Sequence, residues 1–365
     1  MQVIFSGVRP SERVLKLSSA LRNAGVTTSG VFQARHADED YLRYFHSFRE
    51  EPSVDVAIKF ISKSAASIIH VTALAADPFS LKLFGLSSKK VVFDFKDVFP
   101  GIHPGVVPEG VELAQRFLMQ RADGLVLRDG QAWLSARLSG FRLTEKKILF
   151  PDFCWPEWDI PGQFREVEIK DTYKLVHIGM TQDEILRPDR SGAGQRFVFD
   201  ALLSNGHEIH FFPGPMNAQK PYPSLHQLSQ KYPGRFFFRP TLPDTKLNIA
   251  LQDFDFGLRI SQSYLFPRMP VYWNTALNRY GVGARLYSYL SAGLPIIATP
   301  DDRAPRVAAM MGLGVLLTSV KQTKLTQIIR DSLSTLNPSE RRREKILGLT
   351  VNRRIDRLIR FYKSL

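Results

Sequence analysis

Residues 285–299 read RLYSYLSAGLPIIAT, and the order of residue types in this stretch decides the architecture. Leu286, Tyr289 and Leu290 recur at three- and four-residue spacing, the pattern of a helix with one apolar face. Gly293 stands where a left-handed residue would close that helix, a conformation glycine takes without steric cost. Pro295 blocks any continuation. Ile296, Ile297 and Ala298 then run apolar without alternation, as in a strand covered on both faces. Helix, glycine stop and doubly buried strand together predict a helix-to-strand joint in a parallel sheet.

The same order of elements recurs in both halves of the chain. Residues 3–5 predict a strand, Ser6 and Gly7 a loop, and residues 13–23 a helix with Val14, Leu17, Ala20 and Leu21 inward. Gly25 stops that helix, and residues 28–32 begin the next strand. Later, Lys174–Ile178 predicts a strand, Gly179 a loop and residues 196–204 a helix; Gly206 stops it before a strand at Glu208–Phe212. Further strands are expected at 68–72, 90–95, 124–127 and 147–150, and at 235–238, 254–260, 296–298 and 314–317. Strands alternating with amphipathic helices imply an α/β protein with parallel sheets covered by helices. Residues 152–171 (DFCWPEWDIPGQFREVEIKD) carry turn residues and charges without a period, so the interdomain connection is expected there. A chain of 365 residues suits two domains of about 150 to 180 residues. They are placed at 1–155 and 173–345, with a linker at 156–172 and a basic terminal helix at 346–365.

Composition narrows the function classes. Hydrophobic residues at 44% and aromatics at 11% suffice for packed cores and argue against disorder. A single cysteine, Cys154, excludes an intramolecular disulfide and any multi-cysteine metal site. The opening MQVIFSGVRPSERV lacks a signal-peptide layout, and no apolar run approaches the roughly 20 residues that span a bilayer. The expectation is a cytoplasmic protein, peripheral to a membrane at most. The net charge of +14 attracts anions such as nucleotide phosphates, acidic lipid headgroups or nucleic acid. Much of it lies in residues 340–365, where nine Lys or Arg stand against three acids. Within that tail Ile355, Leu358, Ile359 and Tyr362 recur at helical spacing opposite Arg353, Arg354, Arg357 and Arg360. Such a helix either lies on an anionic membrane or docks its apolar face on the protein. Concentration of charge in one tail, without basic residues interleaved among exposed aromatics, argues against nucleic acid as partner.

The wording of residues 285–299 resembles the donor-domain signature of the GT-B glycosyltransferases, in which a helix meeting the nucleotide-sugar phosphates ends in a similar Ala-Gly-Leu-Pro run. The likeness extends over nearly the whole chain, specific in the second half and loose in the first. It implies two Rossmann-like domains facing a cleft, and transfer of a sugar from a nucleotide-sugar donor to a carbohydrate or lipid-linked acceptor, as in polysaccharide assembly. It also implies no metal and no other cofactor. Residues 253–261 (DFDFGLRIS) resemble the strand whose end approaches the donor. Arg259 there would hold a diphosphate bidentately, or would be a surface arginine paired with Asp253 or Asp255. Arg285, in the first turn of the signature helix, would complete a phosphate site with the free N–H groups of that turn. A cation is otherwise mildly unfavourable at a helix N-terminus. Gly179, Leu286, Ser288 and Gly7 complete the expected donor-binding set, with Arg9, Ser11 and Arg13 near Gly7 as supplements.

The sequence departs from the family in two places. Many retaining members carry a glutamate pair where this chain has Tyr280 and Ser288, and the Arg…Lys diphosphate clamp is replaced by Met180, Thr181, Gln182 and Asp183, with Arg187 or Arg190 as substitutes. These gaps leave open an inactive binding or partner subunit, or a nucleotide-sugar epimerase of the same double fold. In the first half, FDFKDVF at 93–99 places Asp94 and Asp97 at and just beyond a strand's carboxyl end. A carboxylate there would deprotonate an acceptor hydroxyl. Asp97 is the expected base for inversion, with His103 second and Asp94 third; the choice between inversion and retention stays open. Asp301 and Asp302 lack the setting of a metal motif, and His207 and His210 lack zinc-site spacing. The aromatic stretch 264–280 is either core or a wall for a nucleotide base or acceptor, with Asn274 and Asn278 as sugar partners.

Overall fold

Parallel pairing dominates the computed structural model, which describes residues 1–35, 39–73, 78–86, 88–95, 97–102, 107–179, 194–214, 222–260, 280, 283–299, 303–317 and 325–365. Two compact units result. The first joins Met1–Glu157 to Leu349–Leu365 and includes Tyr280; the second comprises the described residues of Trp158–Met269 and Gly283–Gly348.

The first unit holds strands β1 (Gln2–Gly7), β2 (Thr27–Phe32), β3 (Ser47–Glu50), β4 (Ile68–Ala73), β5 (Lys90–Phe95), β6 (Gly124–Leu127) and β7 (Lys147–Leu149) in the order β3-β2-β1-β4-β5-β6-β7. Sequential strands run outward from β1 in one direction and from β4 in the other, so the sheet reverses its winding between β1 and β4. Val3, Ile4 and Phe5 on β1 and Val91, Val92 and Phe93 on β5 are buried on both faces, as their unbroken apolar runs require. β3 reads SFRE, is largely exposed, and escapes sequence reading because an edge strand needs no apolar face.

The second unit holds β8 (Lys174–Ile178), β9 (Glu208–Phe212), β10 (Phe236–Phe238), β11 (Phe256–Arg259), β12 (Ile296–Ala298) and β13 (Gly314–Leu316), ordered β10-β9-β8-β11-β12-β13. Its winding reverses between β8 and β11. The 285–299 stretch folds as its residues dictate. The helix Ala284–Ser291 buries Leu286, Tyr289 and Leu290, Gly293 takes φ +77°, and β12 is wholly buried. Gly293 is also demanded by packing, because a β-carbon there would lie 2.5 Å from the Phe164 ring.

The terminal helix Ile355–Lys363 belongs to the first unit. It buries Ile355, Leu358, Phe361 and Tyr362, while Arg353, Arg354, Arg357, Arg360 and Lys363 stay exposed. Gly124 on β6 permits the close approach, since a β-carbon would stand 2.8 Å from the Phe361 ring. The apolar face is thus spent inside the protein and the basic face looks outward. Among the described residues no helix is long and apolar enough to cross a membrane.

Candidate functional site

In open parallel sheets, ligands collect beyond the carboxyl ends of the strands where the winding reverses. In the second unit that point lies between β8 and β11, and it gathers three of the residues expected from the sequence. Gly179 ends β8 at φ +84°, a backbone that disfavours any side chain. The Arg285 guanidinium fills the space that side chain would need: a β-carbon on Gly179 would lie 2.9 Å from Arg285 Nε. Arg259 ends β11 and reaches the start of the helix Ala284–Ser291, with its Nη2 2.8 Å from where a β-carbon on Gly283 would stand. Arg285 Nη1 also lies 3.3 Å from His177 Nε2. The expected alternative for Arg259 is not what the acids do: Asp255 is engaged by Lys170 at 2.8 Å and Arg165 at 3.6 Å.

Tyr289 fixes the frame of this arrangement. Its hydroxyl accepts the Ile178 N–H at 3.0 Å and donates to the Leu258 carbonyl at 3.3 Å, tying the ends of β8 and β11 together. Its ring fits because position 257 is glycine, where a β-carbon would come within 2.4 Å of it. Burial pushes the Tyr289 hydroxyl up to about 12, against the opposing charge of Arg285, so it remains a neutral donor. Sequence reading took Tyr289 only as an apolar position and did not single out His177, because their roles arise from contacts across strands.

The electrostatics of the pair favour an anion. Burial, and then the like charge of Arg259, pull the Arg285 guanidinium down to about 10. Two guanidinium groups side by side in low dielectric repel, and an anion between them reverses that cost. The N-terminal turn of the helix adds backbone N–H groups and dipole of the same sign.

Leu286 and Ser288 stand on the same helix as Arg285, and Gly7, Asp94 and Asp97 belong to the first unit. Leu286 is buried at 2% exposure, and the Ser288 hydroxyl turns back to donate to the Ala284 carbonyl at 3.3 Å. Both side chains sit on the inward side of the helix, Leu286 in its first turn and Ser288 in the second. Gly7 occupies the reversal point of the first unit, where a β-carbon would stand 3.0 Å from the Thr72 carbonyl oxygen. Asp94 does not face solvent: it is 1% exposed and accepts from Arg13 Nε at 2.6 Å and His70 Nε2 at 3.3 Å. Burial raises its proton affinity, but the charge of Arg13 and the His70 hydrogen bond outweigh it and bring the carboxyl to about 2. A carboxylate so held is a poor proton acceptor. Arg13 is likewise spent on the protein, donating also to Asp152 and to the Phe150 and Pro151 carbonyls. Asp97 is more open, two residues past β5, and accepts from Arg128 at 3.3 Å. Arg128 is held in turn by Asp129 at 3.3 Å. His103, Arg187, Arg190, Asn274, Asn278, Asp301 and Asp302 lie outside the described residues. Among those described, no cluster of three His, Cys, Asp or Glu is placed to hold a metal ion.

No protein-family model matches the chain, and no curated protein matches it. Solved structures do. HepE (Alr3699) of Anabaena in complex with UDP-glucose is similar at TM-score 0.70 and 13% identity, with 100% of both chains covered. Sucrose-phosphate synthase from Thermosynechococcus elongatus is similar at TM-score 0.63 and 10% identity, covering 100% of this chain and 98% of that one. UDP-GlcNAc 2-epimerase from Methanocaldococcus jannaschii follows at 0.54 and 10%, with 100% of both covered. At such low identity the likeness speaks for architecture, and over its whole length the chain has the GT-B fold of two parallel α/β sheets in succession.

Proposed function

We propose that the chain is a glycosyltransferase that takes a sugar from a nucleotide-diphosphate donor bound at Gly179, Arg259 and Arg285. The observation that carries this reading is the packing of Arg285 against Gly179 with Arg259 beside it. The glycine lets the Arg285 guanidinium lie against the strand end, and the two guanidinium groups neutralise the charge that grows as the nucleoside diphosphate departs. HepE, of the same fold, binds UDP-glucose. In the proposed reaction an acceptor hydroxyl oxygen attacks the anomeric carbon, the bond from that carbon to the β-phosphate oxygen breaks, and the hydroxyl proton passes to a base. Asp97 is the proposed base of an inverting reaction, since Asp94 is committed to Arg13. Neutralisation by arginines makes a metal unnecessary in this scheme. The proposed acceptor is a carbohydrate, on a lipid carrier in the fuller form of the proposal, and the exposed basic face of the terminal helix supports contact with an anionic membrane.

Calorimetry and thermal shift against nucleoside diphosphates and their sugars test the donor site. One nucleotide should bind and stabilise the protein, with the effect lost in Arg285→Ala and in Arg259→Gln. Silence toward all of them would remove the reading. A second reading, epimerisation of a nucleotide sugar, is favoured by the likeness to UDP-GlcNAc 2-epimerase. Conversion of the donor sugar to its epimer without an acceptor would replace transfer by that reaction.

A further inference from the structure

The second unit carries another cavity, built from side chains that the Gly179 site does not use. His210 pairs in register with Val176, so strand alternation sets it on the sheet face opposite His177. On that face a cavity of about 570 Å³ is lined by Arg165, Lys174, His210, Arg239, Asp253 and Phe254, among others. Its volume falls in the range of roughly 300–1,000 Å³ usual for small-molecule sites.

The polar groups around it are held in place. Arg239 Nε donates to His210 Nδ1 at 2.9 Å, and its guanidinium lies 5.4 Å from the centre of the Phe237 ring. The His210 ring is fixed between Phe237, stacked at 4.6 Å, and Phe254, edge-on at 4.9 Å. Since Nδ1 accepts, the ring proton sits on Nε2, which faces Glu208 at 3.4 Å. One nitrogen of Arg239 is therefore committed and its two terminal nitrogens are left for a ligand. Neither Arg239 nor Lys174 forms an ion pair among the described residues. Burial lowers the proton affinity of His210 and keeps the ring neutral, with the Glu208 hydrogen bond opposing it and the charges of Arg239 and Lys174 adding to it. Lys174 and Arg239 face the single carboxylate of Asp253 in the lining, Arg165 being engaged by Asp255 at 3.6 Å, and two such donors fit an anion that accepts several charged hydrogen bonds, while Phe254 and Pro240 supply an apolar wall.

We infer that this cavity binds a small phosphate monoester, with the phosphate on Lys174 and Arg239 and the organic group against Phe254 and Pro240. The site is independent of the proposed donor site and shares no residue with it.

Phenyl phosphate is the probe, titrated calorimetrically into the full chain, with inorganic phosphate and phenol alongside. Binding should weaken roughly tenfold or more in Lys174→Ala and in Arg239→Gln, each of which removes a charged hydrogen-bond donor, and should persist in Arg285→Ala. Phenol should not bind, and inorganic phosphate should bind more weakly than its phenyl ester. The Lys174 side chain is exposed, so Lys174→Ala tests the site without threatening the fold. Absence of binding up to about 10 mM, far weaker than ordinary small-ligand affinities, would overturn the inference. So would binding that is lost in Arg285→Ala and kept in Lys174→Ala, because the anion would then sit at the other site. Equal affinity for inorganic and phenyl phosphate would overturn the role given to the apolar wall.

Discussion

Arg285 occupies the space that a side chain at Gly179 would need, its Nε 2.9 Å from the position of the missing β-carbon. A glycine at φ +84° and a half-buried arginine thus depend on each other. The chain gives up side-chain packing at the end of β8 and gains a guanidinium against exposed backbone.

Gly179→Ala should therefore be costly twice over. The left-handed backbone would cost about 1–2 kcal/mol with a β-carbon, and Arg285 would have to move. The expected result is a lower unfolding temperature together with nucleotide binding weakened at least tenfold. Binding unchanged in calorimetry would mean that Arg285 does not hold the ligand.

Stability and binding should part company at Arg259. Arg259→Gln removes the like charge that pulls Arg285 down, so the ligand-free protein should unfold at an equal or higher temperature. Nucleoside diphosphate affinity should nevertheless fall roughly tenfold to a hundredfold, the range for one lost charged contact. Paired thermal-unfolding and titration experiments read both numbers. Loss of both together would mark Arg259 as a structural residue.

Acid should destabilise the first unit in a defined window. The Asp94 carboxyl falls from 3.8 to about 2 on folding, so its stabilisation is complete above pH 3.8 and is lost as pH drops through 2. The shift corresponds to about 2 kcal/mol. Asp94→Asn, which leaves Arg13 with Asp152 as its remaining carboxylate, should cost about 1–3 kcal/mol at neutral pH and should lack that acid limb in a plot of unfolding free energy against pH.

His207 sets a different window in the second unit. Its Nδ1 accepts the Tyr173 N–H and its Nε2 faces the Thr326 hydroxyl, so the ring fits as the neutral form. Burial, helped by the charge of Arg330, lowers it to about 4 from 6.5. The unfolded chain takes up a proton first, so stability should decline from about pH 6.5 down to 4 and then level off, by about 3 kcal/mol in all. His207→Gln should flatten that segment, which urea titrations at stepped pH would show.

The terminal helix should be held by one hydroxyl as well as by its apolar face. Tyr362 donates to His70 Nδ1 at 2.6 Å, and His70 Nε2 donates to Asp94. Tyr362→Phe leaves that buried nitrogen without its donor and should cost about 1–3 kcal/mol. Hydrogen exchange across residues 349–365 should rise with it, and unchanged exchange there would assign the docking to packing alone.

Local pattern alone determined most of the scaffold. The strands, the glycine stops at Gly25, Gly206 and Gly293, and the joint at 285–299 follow from periodicity and from what glycine and proline do to the backbone, which are properties of neighbours in the chain. The placing of Arg259 and Arg285 at strand and helix ends was legible for the same reason. Partnership was not. The sequence offered Asp94 and Asp97 as similar strand-end acids, and only the tertiary structure separated them, because Arg13 lies 81 residues from Asp94 and reaches it through the packing of the helix Glu12–Asn23. Ser288 likewise turned back onto its own helix, Tyr289 became a tie between two strands, and Lys174 and Arg239 met at one cavity. Each of these outcomes depends on distance in space between residues far apart in sequence, which residue type and spacing do not encode.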